Sequence, residues 1–153
     1  MSYDTVAETE IFISTALPAD TTSAAAFAAL TWVKIGEVTD VPSVVGRQYQ
    51  TSSHSPVDSA QTTKRKGSFE LPDAEIVAAW DENDAGQIIV DTASRSYANY
   101  SFKLKKQDGA LRYFTAQVSK FVENNGTVDS KVTGAITLLR QTDTVKVPAP
   151  VAP

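Results

Sequence analysis

Residues 100–122 read YSFKLKKQDGALRYFTAQVSKFV. Tyr100, Phe102 and Leu104 alternate with Ser101, Lys103 and Lys105, a period of two that places one face of a strand in a core and the other in water. Asp108-Gly109 tolerates the positive φ of a tight turn. Beyond it the alternation resumes, with Phe114, Ala116 and Val118 on one face and Tyr113, Thr115 and Gln117 on the other. The stretch predicts a long antiparallel hairpin with Phe102, Leu104, Phe114 and Val118 facing a core and Lys103 and Lys105 together on a wet face. A lone hairpin is not stable in water, so the rest of the chain must supply the sheet it belongs to.

The remaining segments supply strands. Residues 10–17 (EIFISTAL) are β-branched and aromatic and predict a strand that stops at Pro18. Polar residues 20–23 precede an alanine-rich run at 24–30, which predicts a short helix. A second strand covers 32–38 and ends before Asp40 and Pro42. Residues 46–51 have strand character, and 52–63 are almost wholly polar, a loop of unusual length closed by Lys64, Arg65 and Lys66. GSFEL at 67–71 predicts a strand, and EIVAAW at 75–80 is open between helix and strand. Asp84 with Gln87 three positions on reads as a capping box. Ile88, Ile89, Ala93 and Tyr97 then form one stripe along a helix near 85–95. Asn124-Asn125-Gly126 marks a turn, and 131–140 (KVTGAITLLR) a last strand, in which Gly134 signals a bulge or a close backbone approach. The Pro-rich end reads as extended. The expected organisation is one domain over 1–140, with a long loop at 46–66 and a tail at 141–153.

Composition bounds the function. The chain has 153 residues, 42% hydrophobic and 21% charged, which suits a globular domain rather than a disordered one. The absence of cysteine excludes disulfides, thiolate metal sites and cysteine nucleophiles. The N-terminal residues lack the pattern of a secretory signal, and the longest apolar run, 24–30, is too short to span a bilayer, so no membrane insertion is expected. The net charge of −4 argues against nucleic-acid binding as the main activity. It is unevenly spread: residues 1–40 hold six acids against Lys34 alone, and residues 81–153 hold eight acids and nine bases.

Chemistry is sparse. His54 is the single histidine and sits in the polar loop. No serine elbow or phosphate-cradling glycine cluster is present. Asp81-Glu82-Asn83-Asp84 lacks the glycine and distal glutamate of an EF-hand loop and reads as an acidic helix entry. No catalytic residue, cofactor site or metal ligand is expected. Trp32, Trp80 and Tyr97 could serve as stacking platforms of a carbohydrate-binding β-sandwich module. An enzyme built around His54 is the weakest alternative.

Several stretches together resemble the tail tube (major tail) proteins of long-tailed bacteriophages. They are WVKIGEVTDV at 32–41, KRKGS at 64–68, DAGQ at 84–87 entering a helix, and the 108–109 turn followed by YFTAQV at 113–118. Their order and spacing match over residues 8 to 140. The resemblance implies a mainly β fold, an antiparallel β-sandwich whose sheets can close into a barrel, with one flanking α-helix, related to the inner-tube proteins of contractile tails and type VI secretion. It implies a structural virion protein, assembled in the host cytoplasm, whose six-membered rings stack into the tail tube. Its partners would be other copies of itself and the tape measure, tail terminator and distal tail proteins, with DNA only passing through the lumen. An acidic lumen would let DNA slide without sticking. Within that frame Arg47, Tyr49, His54, Lys64, Arg65 and Lys66 are expected to form a subunit-contact loop. It would lie mobile in the free subunit and meet a neighbour's acids, those of the first forty residues foremost.

Overall fold

A computed structural model of the chain describes residues 9–40, 45–58 and 60–148. Asp4 and Glu8 of the acidic leading segment, the stop at Pro42 and the tail residues 149–153 lie outside the described residues. In chain order come β1 (Glu10–Ser14), α1 (Ala24–Ala28), β2 (Val33–Ile35), β3 (Val38–Asp40), β4 (Gln48–His54) and β5 (Thr63–Glu70). They are followed by β6 (Ala74–Ala79), α2 (Ala85–Ser94), β7 (Tyr100–Lys105), β8 (Leu111–Asn124), β9 (Thr133–Arg140) and β10 (Val145–Val147). The fold is mainly β and antiparallel, as the alternation requires, and 75–80 resolves to a strand.

The decisive hairpin forms as read. β7 and β8 pair with Phe102 opposite Phe114 and Tyr100 opposite Ala116. Gly109 turns the chain at φ 93°, and Asp108 Oδ1 accepts from the Ala110 N–H at 2.9 Å. Phe102 and Phe114 stack at 5.5 Å, and both are buried with Leu104 and Val118. Around them the inward residues of β1 (Ile11, Ile13), β6 (Ala74, Ile76) and β9 (Ile136, Leu138) complete one core.

The opposite face of the hairpin is drier than alternation predicts. Tyr113, Thr115 and Ser101 are buried there. The chain between β1 and β2 returns over this face: Phe27 of α1 stacks on Tyr113 at 5.2 Å, and Trp32 tilts against the same ring at 5.9 Å. Lys103 is drawn over the rings of Phe12 and Trp32, so it is not fully in water as expected. The segment beyond residue 140 adds to the cover. β10 pairs with β8, and the Thr142 hydroxyl bonds that of Thr115 at 3.0 Å, so the first part of the expected tail belongs to the sheet.

The sheet runs β2-β1-β7-β8-β9-β6-β3, and its two outermost strands are consecutive in sequence. Only Gly36 and Glu37 separate them, so the sheet must curl until its edges meet at that dipeptide. The seam explains the DAGQ stretch. Asp84 caps α2 by accepting from the Gln87 N–H at 3.0 Å, and the same carboxylate oxygen accepts from the Gly36 N–H at 3.0 Å. The Gln87 side chain donates to the carbonyls of Gly36 and Ala79, at 3.2 and 2.9 Å. Gln87 thus ties the Gly36 seam to the end of β6. Its carbonyl oxygen accepts from the Asp81 N–H at 3.1 Å, not from Asp84 as a capping box requires. The helical stripe also needs correcting. Val90, Ala93, Gly86 and Gln87 are buried, whereas Ile88 is 53% and Tyr97 96% exposed, because α2 meets the sheet through its Gly86 side.

Gly86 lets α2 press onto β2. A Cβ there would sit 2.6 Å from the Ile35 Cα, inside van der Waals contact with backbone. Gly86→Ala is therefore expected to destabilise the fold by about 1–3 kcal/mol, as overpacking does, at the upper end because backbone cannot rotate away. Urea unfolding checks this, and an unchanged midpoint would mean α2 can lift off β2 freely. Gly134 is another glycine under pressure. A Cβ would meet the Phe121 ring at 2.8 Å and the Trp80 ring at 3.2 Å, the close approach its sequence position signalled. The register shift lies across the ladder in β8, between Val118 and Lys120.

Candidate assembly surface

β4 and β5 pair only with each other and form a two-stranded sheet apart from the main one. All eight residues of β5, and all of β4 except half-buried Tyr49, are exposed. No residue of this arm belongs to the core. The expected loop at 52–63 is shorter than read: residues 52–54 continue β4, Thr63 begins β5, and Lys64, Arg65 and Lys66 lie within the strand. The strand character of the flanks, 46–51 and 64–71, is borne out as the two arms of a hairpin. The polar stretch between them hid the ends of both strands because a strand exposed on both faces carries no apolar alternation.

Cross-strand register sorts the expected contact residues onto two faces. Tyr49 opposite Phe69, Thr51 opposite Lys66 and Ser53 opposite Lys64 share one face. Ser52 opposite Arg65 and His54 opposite Thr63 share the other. The basic run is therefore split, with Arg65 pointing away from its neighbours. On the first face an aromatic–cation stack has formed. Tyr49 and Phe69 approach at 5.5 Å, Lys66 Nζ lies 3.9 Å from the Tyr49 ring centroid, and the Arg47 guanidinium 4.4 Å from that of Phe69. Such contacts contribute about 0.5–1 kcal/mol each at exposed sites.

The arm is tied to the body at its root. Both carboxylate oxygens of Asp143 accept from Arg47, Oδ1 from Nε at 3.1 Å. Asp143 first, and then the Tyr49 hydroxyl, raise the Arg47 guanidinium above its ordinary pKa. Beside it, buried Arg140 donates to the Gly46 carbonyl at 3.2 Å and to the Thr144 hydroxyl at 3.0 Å. Burial lowers the pKa of Arg140, partly opposed by Asp143. Asp143, Arg140 and Thr144 are site residues that sequence reading missed. Their role depends on the chain returning past the arm 94 to 96 residues later, which no local pattern announces.

Away from the root the arm's cations, Lys64, Arg65 and Lys66, form no ion pair among the described residues, and Lys66 has only the Tyr49 ring. The ion pairs that form are Lys34–Glu10, Arg47–Asp143 and Arg95–Asp91. Residues 46–70 hold four bases and two acids in a chain that is acidic overall. His54 lies at the end of β4, exposed, opposite Thr63. Among the described residues no cluster of metal-ligating side chains occurs, and no helix is long and apolar enough to cross a membrane. Trp32 and Trp80 pack on opposite faces of the sheet, Trp32 on Tyr113 and Trp80 on the Phe121 ring at 4.8 Å.

No protein-family model matches the sequence, and neither does any curated protein. The fold does have solved counterparts. A chain of the anti-feeding prophage baseplate superposes with TM-score 0.63 at 10% identity, covering 99% of this chain and 100% of its own length. A chain from the sheath/tube terminator structure of an extracellular contractile injection system, PVC, superposes with TM-score 0.66 at 8% identity, covering 97% and 99%. One from the PVC sheath–tube complex gives 0.60 at 10%, covering 95% and 91%. At these identities the likeness is one of fold.

Proposed function

We propose that this chain is a structural, self-assembling subunit of a phage-type tail, with no catalytic role. The observation that carries the reading is the fold likeness, which spans nearly the whole of both chains in structures of tube-bearing and baseplate assemblies. The sequence motifs favour one form of it: a tail tube protein of a long-tailed phage, its copies closed into six-membered rings that stack around a DNA-conducting lumen. The β4–β5 arm supplies the adhesive surface. Tape measure, terminator and distal tail proteins would meet the tube at its core and ends. Outside residues 46–70 acids outnumber bases sixteen to ten, in keeping with a wall that does not bind phosphate.

Electron microscopy of the purified chain over a range of concentrations tests this directly. Rings or tubes are expected, and a monomer at every concentration would overturn the reading. His54→Ala is expected to leave assembly unchanged and stability within about 0.5 kcal/mol, as for exposed positions without special contacts. Normal tubes that fail to support infection in that variant would point to chemistry at the arm.

A further inference from the structure

We infer that the groove between α2 and the Trp80–Phe121 pair is the seat for the β4–β5 arm of a second copy of this chain. The inference rests on the self-assembling reading above and assigns it a receiving surface. The groove encloses about 440 Å³. Its floor is apolar: Trp80 stacks on Phe121 at 4.8 Å, and Ile88 of α2 leaves half its surface in water beside them. Its rim carries three acids, Asp81, Glu82 and Asp91, and one base, Arg95. The Asp81 and Glu82 carboxylates accept from neutral N–H groups, of Asn83 and Trp80, and no cation pairs with either among the described residues. Asp91 has only the exposed Arg95, at 3.6 Å.

The arm is the complement of this surface. It presents Phe69, 48% exposed, with Lys66 and Lys64 on the same face and no acid against either lysine. An aromatic side chain over an apolar floor, ringed by charge pairs at the rim, is the usual build of a specific interface. Two acids of the leading segment are poorer partners: Glu10 already pairs with Lys34, and Asp20 holds the N–H and hydroxyl of Thr22. Arm and groove are different patches of one subunit. A contact between them is heterologous, and heterologous contacts repeat into a closed ring or an open filament. Two copies that exchanged arms reciprocally would close as a dimer; a ring or filament follows where arm and groove engage different neighbours, and only that arrangement gives products larger than a dimer.

Two measurements test the seat. The chain has no cysteine, so Lys66→Cys with Glu82→Cys in one chain reports contact between copies without background. Mild oxidation is expected to give a disulfide-linked ladder beyond dimers, which neither single variant can produce. In parallel, Lys64→Glu with Lys66→Glu is expected to raise the concentration needed for assembly at least tenfold, and adding Asp81→Lys with Glu82→Lys to that chain to reverse the loss. Circular dichroism checks that each variant is folded. Rings with no ladder and no rescue would overturn the seat and leave the tail reading standing. A ladder from a protein whose wild type shows neither rings nor tubes would keep the seat and remove the reading. Absence of both would remove both.

Discussion

Phe114→Ala is expected to cost about 3–5 kcal/mol, the range for truncating a buried phenylalanine. A folded domain has only about 5–15 kcal/mol in hand, so the variant would be close to unfolding at ordinary temperature. The high end applies because the cavity cannot collapse. Phe114 is 2% exposed and stacks on Phe102 directly across the ladder. Its strand is held on both sides here, by β7 at Phe114 itself and by β10 at the adjacent Tyr113. A backbone fixed on both flanks does not move in to fill a lost ring, so the neighbours lose contacts outright. Denaturant unfolding reads the effect as a shifted midpoint. Tyr97→Ala is the control: its side chain is 96% exposed, and the change is expected to stay within about 0.5 kcal/mol. A Phe114→Ala midpoint equal to wild type would mean that the inward face of the hairpin has been misassigned.

The core of the fold was legible because it obeys a local rule. Phe102, Leu104, Phe114 and Val118 sit on one phase of a period-two pattern, and a sheet with one buried face must respect that phase. The second face was not legible, and Tyr113 shows why. Alternation can say only that Tyr113 lies opposite Phe114. Whether water or Phe27 meets it depends on where the chain between β1 and β2 goes. α2 gives the same lesson. Its N-cap at Asp84 is a local feature and was readable. Its contact face was legible only in part, because Gly86 and Gln87, neither of them apolar, make the closest approach to the sheet seam. Of the hydrophobic stripe, Ala93 is buried and Ile89 packs against the core, whereas Ile88 is half exposed and Tyr97 faces solvent.

The candidate site was legible in part for a different reason. Residues 46–66 stood out by what they lack, and a polar segment without core-forming residues is correctly read as external. Composition could not distinguish a loop from a ladder whose two faces are both wet. Nor could it find Asp143, Arg140 and Thr144, which anchor the arm from the far end of the chain. His54 was visible as a lone histidine, and the structure places it exposed at the end of β4, opposite Thr63.

Excising the arm is expected to abolish assembly and spare the fold. Gln48 and Glu70 are cross-strand partners at the arm's root, so an Asn-Gly turn can join them in place of residues 49–69. The Arg47–Asp143 pair and the Arg140–Gly46 bond lie outside the excised residues and remain. No core residue is removed, so unfolding is expected to stay within about 1 kcal/mol of wild type, as for changes away from buried features. Assembly is another matter. Association costs about 4–15 kcal/mol in lost translational and rotational freedom before any contact gains are counted. A standard interface uses about 20–30 residues a side, and the arm is of that size. Its removal takes away one whole side of a contact, so rings and tubes are expected to vanish at concentrations where wild type forms them. The same reasoning predicts how the intact arm behaves. A two-stranded ladder alone is marginally stable at best, and fixing its backbone costs about 1–2 kcal/mol per residue. Its amides are therefore expected to exchange rapidly in the free subunit and slowly in tubes, where a neighbour offsets that cost. An assembly whose arm must order at each step would grow poorly until a preformed end received it, and the proposed adhesive would then act as a switch as well. Normal tubes from the excised chain, or equal exchange in subunit and tube, would refute that role and leave the fold and its tail-machine likeness untouched.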